Sequence, residues 1–187
     1  MKYIQFIKES LKNIKEIGTI FPSSKFVIEK MVAPLNFKKK LTILELGSGS
    51  GVITKRLLKK MSCDSKLLCF ETNKNFYQEL KKINNNKMVL INQSAEKMKE
   101  YLDEHEIKKV DYIVSSVPLL SLPKETTNKI LSTSAEILGK SGQLIQLQYT
   151  KLLAKKLKSH YSQIDIQFTP KYYLPAFIYI CHNQKPL

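Results

Sequence analysis

The stretch that decides the fold is LTILELGSGSGVITKRLL, residues 41–58. Its first part, LTILEL (41–46), is short and rich in β-branched and aliphatic residues, which predicts a buried strand. Three glycines follow at every second position: Gly47, Gly49 and Gly51. The segment GVITKRLLKKM (51–61) then has the spacing of a helix. A strand, a glycine-rich turn and a helix in succession predict a ligand-binding loop, because glycine lets the backbone turn tightly and approach a ligand closely.

Strand and helix patterns alternate along the rest of the chain. We expect further strands at 66–71, 87–92, 110–116, 142–150, 163–169 and 176–182, and helices at 73–83, 95–103, 124–138 and 151–159. This alternation requires parallel strands with helical crossovers on both faces of the sheet. The short connection PKYYLP between the last two strands predicts a hairpin at the sheet edge, and hence one antiparallel strand. We therefore expect an α/β fold with a mostly parallel, seven-stranded sheet.

Composition limits the partners and the compartment. The 187 residues carry a formal net charge of +15, which suits the phosphates of nucleic acid or of anionic lipid. A lysine-biased genome would give the same charge, so charge alone does not define the partner. Cys69 and Cys181 lie in apolar runs and no CxxC occurs, so we expect reduced cysteines and a cytoplasmic protein. The three histidines are scattered, so we expect no metal site.

The loop ELGSGSG (45–51) is neither a dinucleotide fingerprint nor a phosphate-binding P-loop, because the third glycine is Gly51 and no G-K-[ST] follows. It resembles motif I of the class I S-adenosylmethionine (SAM)-dependent methyltransferases. That resemblance implies a Rossmann-like methyltransferase fold with SAM as cofactor. It assigns the cofactor to Glu45, Gly47, Ser48, Gly49 and Gly51.

The ends of the next three strands complete the expected site. Glu71, followed by Thr72, ends the second strand, where a carboxylate can accept hydrogen bonds from both ribose hydroxyls. Ser94 and Ala95 stand after the third strand, where class I enzymes often have Asp-Ala against the adenine. The fourth strand ends in SSVPLLSLP (115–123), where nucleic-acid amino-methylating enzymes often have [DNS]-P-P-[YF]. No aromatic follows Pro118, so a flipped base would lack a stacking partner there.

Four stretches together resemble the bacterial phospholipid N-methyltransferases, which methylate phosphatidylethanolamine and are related to the ribosomal RNA adenine dimethylases. The stretches are GTIFPSSKF, LELGSGSGVITKRLL, FETNKNFYQEL and VSSVPLLSLP. The resemblance implies transfer of methyl groups to the amine of a phospholipid headgroup. The candidate catalytic residues are Ser115, Ser116 and Tyr149, and Ser115 is also a candidate cofactor-binding residue. The candidate residues of a lid over the substrate are Gly18, Thr19, Ile20, Pro22, Ser23, Ser24 and Pro118, with Pro22 at the start of a helix that runs to about Val32.

The first fifteen residues have the pattern of an amphipathic helix. An apolar stripe is flanked by Lys2, Lys8, Lys12 and Lys15. Such a helix suits an anionic membrane surface, although a stripe that packs on the domain would look the same. Residues 1–40 contain nine Lys and three Glu, which favours the membrane. We therefore expect N-terminal helices over 1–40 forming a membrane and lid segment, a methyltransferase domain over 41–187, and a monomeric cytoplasmic protein that attaches peripherally to membranes.

Two other functions remain open at this point. An RNA adenine N-methyltransferase would use the basic surface for phosphates, but the missing aromatic after Pro118 and the missing C-terminal RNA-binding extension speak against it. A non-enzymatic SAM- or membrane-binding module would explain Ser94 in place of an acid. The intact Glu45, glycine loop and Glu71 favour an enzyme.

Overall fold

The computed structural model describes residues 22–169 and 176–183, and side chains from residue 25 onward. The helices are α1 (Pro22–Val32), α2 (Val52–Lys60), α3 (Lys74–Lys81), α4 (Met98–Glu104), α5 (Lys124–Leu138) and α6 (Ala154–Leu157). The strands are β1 (Thr42–Leu46), β2 (Lys66–Phe70), β3 (Met88–Ile91), β4 (Tyr112–Ser115), β5 (Gln143–Gln148), β6 (Gln163–Thr169) and β7 (Ala176–His182). Within this part of the chain, no helix is long and apolar enough to cross a membrane.

All seven strands form one sheet in the order β3-β2-β1-β4-β5-β7-β6. The strands β1 to β5 are parallel, whereas β7 pairs antiparallel with both β5 and β6. The expected α/β fold and its antiparallel hairpin at the sheet edge are therefore confirmed. Strand β7, the antiparallel strand of the hairpin, lies between β5 and β6 in the sheet. The edge strand β6 therefore runs in the same direction as β5. The carboxyl ends of β1 to β6 consequently meet at one edge of the sheet.

Alternate side chains of each central strand enter two separate cores. On β1, Ile43 packs with α1 and α2, whereas Leu44 packs with α4 and α5 on the other face. Helix α1 belongs to the first of these cores, because Met31 and Val32 are fully buried there. Helices therefore cover both faces, as the alternation of patterns predicts.

The strand order reverses between β1 and β4, which places the topological switch point beside the glycine loop. Ligands in open α/β sheets bind beyond the carboxyl ends of the strands at such a point. The register sets Leu46, at the end of β1, between Phe70 of β2 and Ser115 of β4. The loops that follow these three strands are thus brought together by the sheet itself.

Two predicted helices begin differently in the structure. Within 95–103, the chain first forms a 3-10 turn over Ala95–Lys97, since the Ser94 hydroxyl accepts the Glu96 amide, and α4 follows. Within 151–159, a 3-10 turn over Lys151–Leu153 precedes the short α6. In both places a hydroxyl side chain caps the turn and competes with a regular helical start.

Candidate active site

The glycine loop is held by close packing on both sides. Gly47 has φ +73°, and a Cβ there would lie 3.1 Å from the Cγ2 atom of Val117. Gly51 has φ +78°, and a Cβ there would lie 2.9 Å from side-chain atoms of Leu80 and Ile83. These two positions require glycine both for the backbone angle and for the space. The loop is therefore fixed between the segment after β4 and the C-terminal end of α3.

Gly49, in the middle of the loop, faces open space, because the atom nearest to a Cβ there is a carbonyl oxygen 4.0 Å away. Its amide donates to the Oε2 atom of Glu71 at 2.7 Å. The other carboxylate oxygen of Glu71, Oε1, accepts the Asn73 amide at 2.7 Å. Asn92, at the end of β3, donates through Nδ2 to the Glu71 carbonyl at 2.7 Å. The ends of β1, β2 and β3 are thus linked through one acidic residue.

Glu45 lies behind the loop, with only 2% of its surface exposed. Its Oε2 atom accepts the Thr54 hydroxyl at 2.7 Å and the Cys69 thiol at 3.4 Å. Burial raises the pKa of this carboxyl from 4.5 to about 7, although the hydrogen bonds from Thr54 and Cys69 act in the opposite direction. Burial also raises the pKa of the Cys69 thiol. The carboxyl therefore has access to both protonation states near neutral pH.

The third predicted contact, at Ser94 and Ala95, has a structural role as well. The Ser94 hydroxyl caps the 3-10 turn and lies 3.3 Å from the Oε2 atom of Glu96. Ala95 is buried in the core, and Thr72 is exposed beside Glu71. Glu96 thus brings a carboxylate to the place where Ser94 stands instead of an acid. The sequence analysis did not single out Glu96. Its position in the first turn after Ser94 was the feature that could have indicated it.

The segment after β4 is tied to the glycine loop by Ser116. Its hydroxyl donates to the Gly47 carbonyl at 2.6 Å, and its amide donates to the Leu46 carbonyl at 3.0 Å. Ser115 is buried, with 1% exposure, and its hydroxyl accepts the Val117 amide at 3.4 Å. Because the Ser116 proton is engaged by Gly47, the oxygen lone pairs remain as acceptors.

Two glutamines of β5 also hold this segment, and sequence reasoning missed both. The Nε2 atoms of Gln146 and Gln148 donate to the Val117 carbonyl at 3.0 and 3.1 Å. The same carbonyl accepts the Leu119 amide at 2.8 Å. Three donors saturate this oxygen. Both glutamines are almost fully buried, so their pairing with Val117 is shielded from water.

The remaining predicted residues are only partly described. Tyr149 is half-buried just beyond the end of β5, and Pro118 is half-buried next to Val117. The backbones of Pro22, Ser23 and Ser24 form the first turn of α1, as predicted. Gly18, Thr19 and Ile20 and the predicted amphipathic helix lie outside the described residues.

The residues at this edge fit SAM. The buried Ser48 hydroxyl lies beside the Glu45 carboxyl and the Cys69 thiol, and neither this hydroxyl nor the Oε1 atom of Glu45 makes a well-formed hydrogen bond among the described residues, so polar capacity remains behind the loop for an amino-acid group. Each carboxylate oxygen of Glu71 accepts one amide and has a further lone pair for a hydroxyl. The open space at Gly49 lets a ligand approach the backbone.

Comparison with known proteins finds relatives among the methyltransferases. The family model of the ribosomal RNA adenine dimethylases matches residues 11–168. An ornithine lipid N-methyltransferase of Singulisphaera acidiphila is 22% identical over 186 residues, covering 98% of this chain and 97% of that protein. The ribosomal RNA small subunit methyltransferase A of Mycoplasmopsis synoviae is 25% identical over 163 residues, covering 81% of this chain and 56% of that protein.

The fold also matches solved structures. The precorrin-6y C5,15-methyltransferase of Geobacter metallireducens superposes with a TM-score of 0.65 at 15% identity, covering 84% of this chain and 88% of that one. At this identity the match shows a shared fold alone.

Proposed function

The chain belongs to the ribosomal RNA adenine dimethylase family and is a SAM-dependent methyltransferase, and within that family we propose that it methylates the amine of an aminolipid headgroup at a membrane surface. Phosphatidylethanolamine is the acceptor that the resemblance implies. Ornithine lipid is the acceptor in the name of the relative that matches along almost the whole chain. Ethanolamine and the ornithine side chain both end in a primary amine, so one site chemistry serves either.

The observation that carries this proposal is the position of Leu119. It follows Pro118, where an enzyme acting on a flipped base benefits from an aromatic ring. In this protein the side chain is aliphatic, only 1% exposed, and packed in the core under the site. An extruded base would find no stacking surface at this residue, whereas a flexible aliphatic amine requires none.

The side chains of the site can orient an amine by accepting hydrogen bonds from its N–H groups. SAM would supply an electrophilic methyl group on a sulfonium: transfer would break the carbon–sulfur bond, form a carbon–nitrogen bond, and give an ammonium that loses its surplus proton to solvent. The Ser116 oxygen is an acceptor because its proton is held by the Gly47 carbonyl. The Val117 carbonyl already accepts three hydrogen bonds, so its role is to hold the segment after β4 in place and not to accept the amine.

The amine must reach the site without its extra proton. A headgroup amine is mostly protonated in neutral water, and burial lowers its pKa because the charged form loses hydration. The buried Ser115 and the half-buried Ser116 form the wall where such desolvation would occur. Tyr149 lies just beyond the end of β5, and its ring or hydroxyl is the candidate group to face the ammonium that forms on transfer.

RNA adenine methylation is the second candidate, and the name of the matching family favours it. The net charge of +15 would serve RNA phosphates as well as anionic lipid. The two candidates differ in their acceptor, not in their fold or cofactor.

One experiment separates them. The purified full chain is incubated with methyl-labelled SAM and one acceptor: phosphatidylethanolamine vesicles, ornithine lipid vesicles or ribosomal RNA. We expect label in a lipid and none in RNA, and S116A should lower lipid labelling about tenfold or more through loss of the hydrogen-bond acceptor that orients the amine. S132A, which removes an exposed hydroxyl on α5, should label lipid like the wild type. Label in RNA and none in either lipid would contradict the proposal.

A further inference from the structure

Four large apolar side chains are exposed at one corner of the molecule. They are Leu152 with 76% exposure, Phe168 with 48%, Phe26 with 47% and Ile166 with 43%. Single exposed apolar side chains are ordinary on a protein surface, but a group of them indicates an interaction site. We call these four residues, together with Lys30 and Lys151, the corner surface.

Contacts of Lys30, Phe168 and Lys151 link the parts of the corner surface. The Lys30 ammonium lies 5.0 Å from the Phe26 ring centroid and donates to the Phe168 carbonyl at 3.1 Å. The rings of Phe168 and Phe177 have centroids 5.0 Å apart. The Lys151 ammonium lies 5.7 Å from the Phe177 ring centroid, and Leu152 is its neighbour in sequence. Phe168 and Ile166 pair with Phe177 and Tyr179, so their side chains lie on the face of the sheet opposite to α1. Lys30 therefore reaches the Phe168 backbone around the free edge of β6, and the corner surface wraps this edge from α1 to the turn after β5.

The corner surface lies at the edge of the sheet that carries the candidate active site. Because β6 runs in the same direction as β5, Phe168 near its end stands at the carboxyl edge of the sheet. The turn Lys151–Leu153 contacts the turn Leu119–Ser121, which follows Pro118. A substrate held at the corner surface would be next to the segment that contains Ser116.

The charge around these apolar side chains is positive. Lys25 and Lys155 are exposed on α1 and α6, in addition to the two lysines of the patch. Two acids lie on the α1 side of this edge, and each has a nitrogen partner: Glu29 pairs with Arg56 at 2.6 Å, and Asp165, on the opposite face of β6 from Ile166, lies 3.7 Å from His182. Apolar side chains surrounded by lysines match the interface of an anionic bilayer, where the rings and alkyl groups enter and the ammonium groups remain at the phosphates.

We propose that the corner surface contacts the anionic membrane from which the lipid amine is taken. This inference rests on the proposed function, and it assigns the contact to folded residues outside the predicted N-terminal helix. A lipid amine then reaches the site from the side while its acyl chains stay in the bilayer. A nucleic acid would use the lysines but would leave the exposed leucine and isoleucine in water.

The test compares vesicle binding by two variants of the full chain. The double variant L152S/F168S removes apolar groups from the corner surface, and V89S removes an apolar side chain of similar exposure, 38%, from β3 at the opposite edge of the sheet. Binding is measured by flotation with vesicles of phosphatidylethanolamine and phosphatidylglycerol. We expect about tenfold weaker binding for the double variant and no change for V89S. A third variant, K151Q, should weaken binding to these vesicles and not to neutral phosphatidylcholine vesicles.

Two further measurements keep this result separate from folding and from the proposed function. Unchanged SAM binding by L152S/F168S would show that the variant is folded. Its rate on dispersed dihexanoyl-phosphatidylethanolamine should equal that of the wild type, because no bilayer is involved. Wild-type vesicle binding by L152S/F168S, or an equal loss in V89S, would overturn the inference. Failure of the wild type to methylate any lipid would instead contradict the proposed function.

Discussion

Glu71 connects three strand ends through short hydrogen bonds. Its two carboxylate oxygens accept the amides of Gly49 and Asn73, each at 2.7 Å, and its carbonyl accepts Asn92. Because bonds to a carboxylate are stronger than neutral ones, the residue holds the glycine loop in place before any ligand arrives. It therefore acts on the proposed SAM site in two ways, by fixing the loop and by offering acceptors.

Replacing Glu71 should reveal both effects. We expect E71A to weaken SAM binding about thirtyfold or more, because two charge-assisted bonds and the acceptors are lost together. E71Q keeps one oxygen and should lose less. Isothermal titration calorimetry measures the difference, with the exposed Glu104, replaced in E104A, as the control. Equal SAM affinity in E71A and the wild type would contradict a cofactor role for Glu71.

Glu45 predicts a specific dependence of stability on pH. Its pKa is raised from 4.5 in the unfolded chain to about 7 by burial, so between these values the folded state binds more protons than the unfolded state. Stability then falls as pH rises through this window, and the loss is complete above about pH 7. E45Q cannot ionise, so this contribution is absent from the variant.

The measurement is urea unfolding of the wild type and E45Q, without SAM, from pH 4.5 to pH 8. The free energy of unfolding of E45Q, relative to that of the wild type, should increase from pH 4.5 to about pH 7 and then stay constant. Taking the difference removes contributions from other titrating groups such as His160. A difference that does not change with pH would show that Glu45 titrates normally.

At the scale of elements, β5 supports the segment after β4. Leu144, Gln146 and Gln148 share one face of the strand, and the two glutamines reach the Val117 carbonyl from there. The pairing of Ser115 with Gln146 in the sheet register brings them to this distance. The strand thus positions Ser116 indirectly, through the neighbouring Val117.

Removing these amide donors should affect the chemical step more than binding. We expect Q146L/Q148L to lower kcat about tenfold or more, because the Val117 carbonyl loses two buried donors and the segment shifts. The KM for SAM should change little, since the glycine loop and Glu71 are intact. Q143L, at the first residue of the same strand, is the matched control. A change confined to the KM for SAM would contradict this positioning role.

The sequence predicted the elements of this fold more completely than it predicted their contacts. Helix α5 and strands β6 and β7 begin and end where their patterns indicate, because β-branched runs and Pro123 mark the boundaries clearly. The contacts of Gln146 and Gln148 depend on the sheet register, which no local pattern specifies. Two polar residues at alternate positions of a buried strand were the only signal. Glu96 was missed for a related reason, since the cap at Ser94 turns the chain into a 3-10 start.

At the scale of the whole molecule, the carboxyl edge of the sheet differs from the amino edge. The carboxyl edge has the glycine loop, the segment after β4 and the corner surface. The amino edge has exposed lysines before several strands: Lys38, Lys39, Lys40, Lys66, Lys108, Lys109 and Lys140. Exposed lysines are therefore present at both edges of the sheet. At the carboxyl edge, beside the candidate active site, large exposed apolar side chains accompany them. This asymmetry favours one orientation on a membrane, with the carboxyl edge towards the lipid.

Removing residues 1–15 tests whether the molecule uses a second membrane contact in that orientation. The deleted segment has the apolar stripe and four lysines, and each lysine near an anionic surface contributes about 1 kcal/mol. We expect binding to phosphatidylglycerol-containing vesicles to fall at least about tenfold and to depend less on salt, with SAM binding unchanged. If the segment and the corner surface contact the same bilayer independently, deletion combined with L152S/F168S should give losses that multiply. Unchanged binding after deletion would mean that the stripe packs on the domain, and the corner surface would then account for the membrane contact alone.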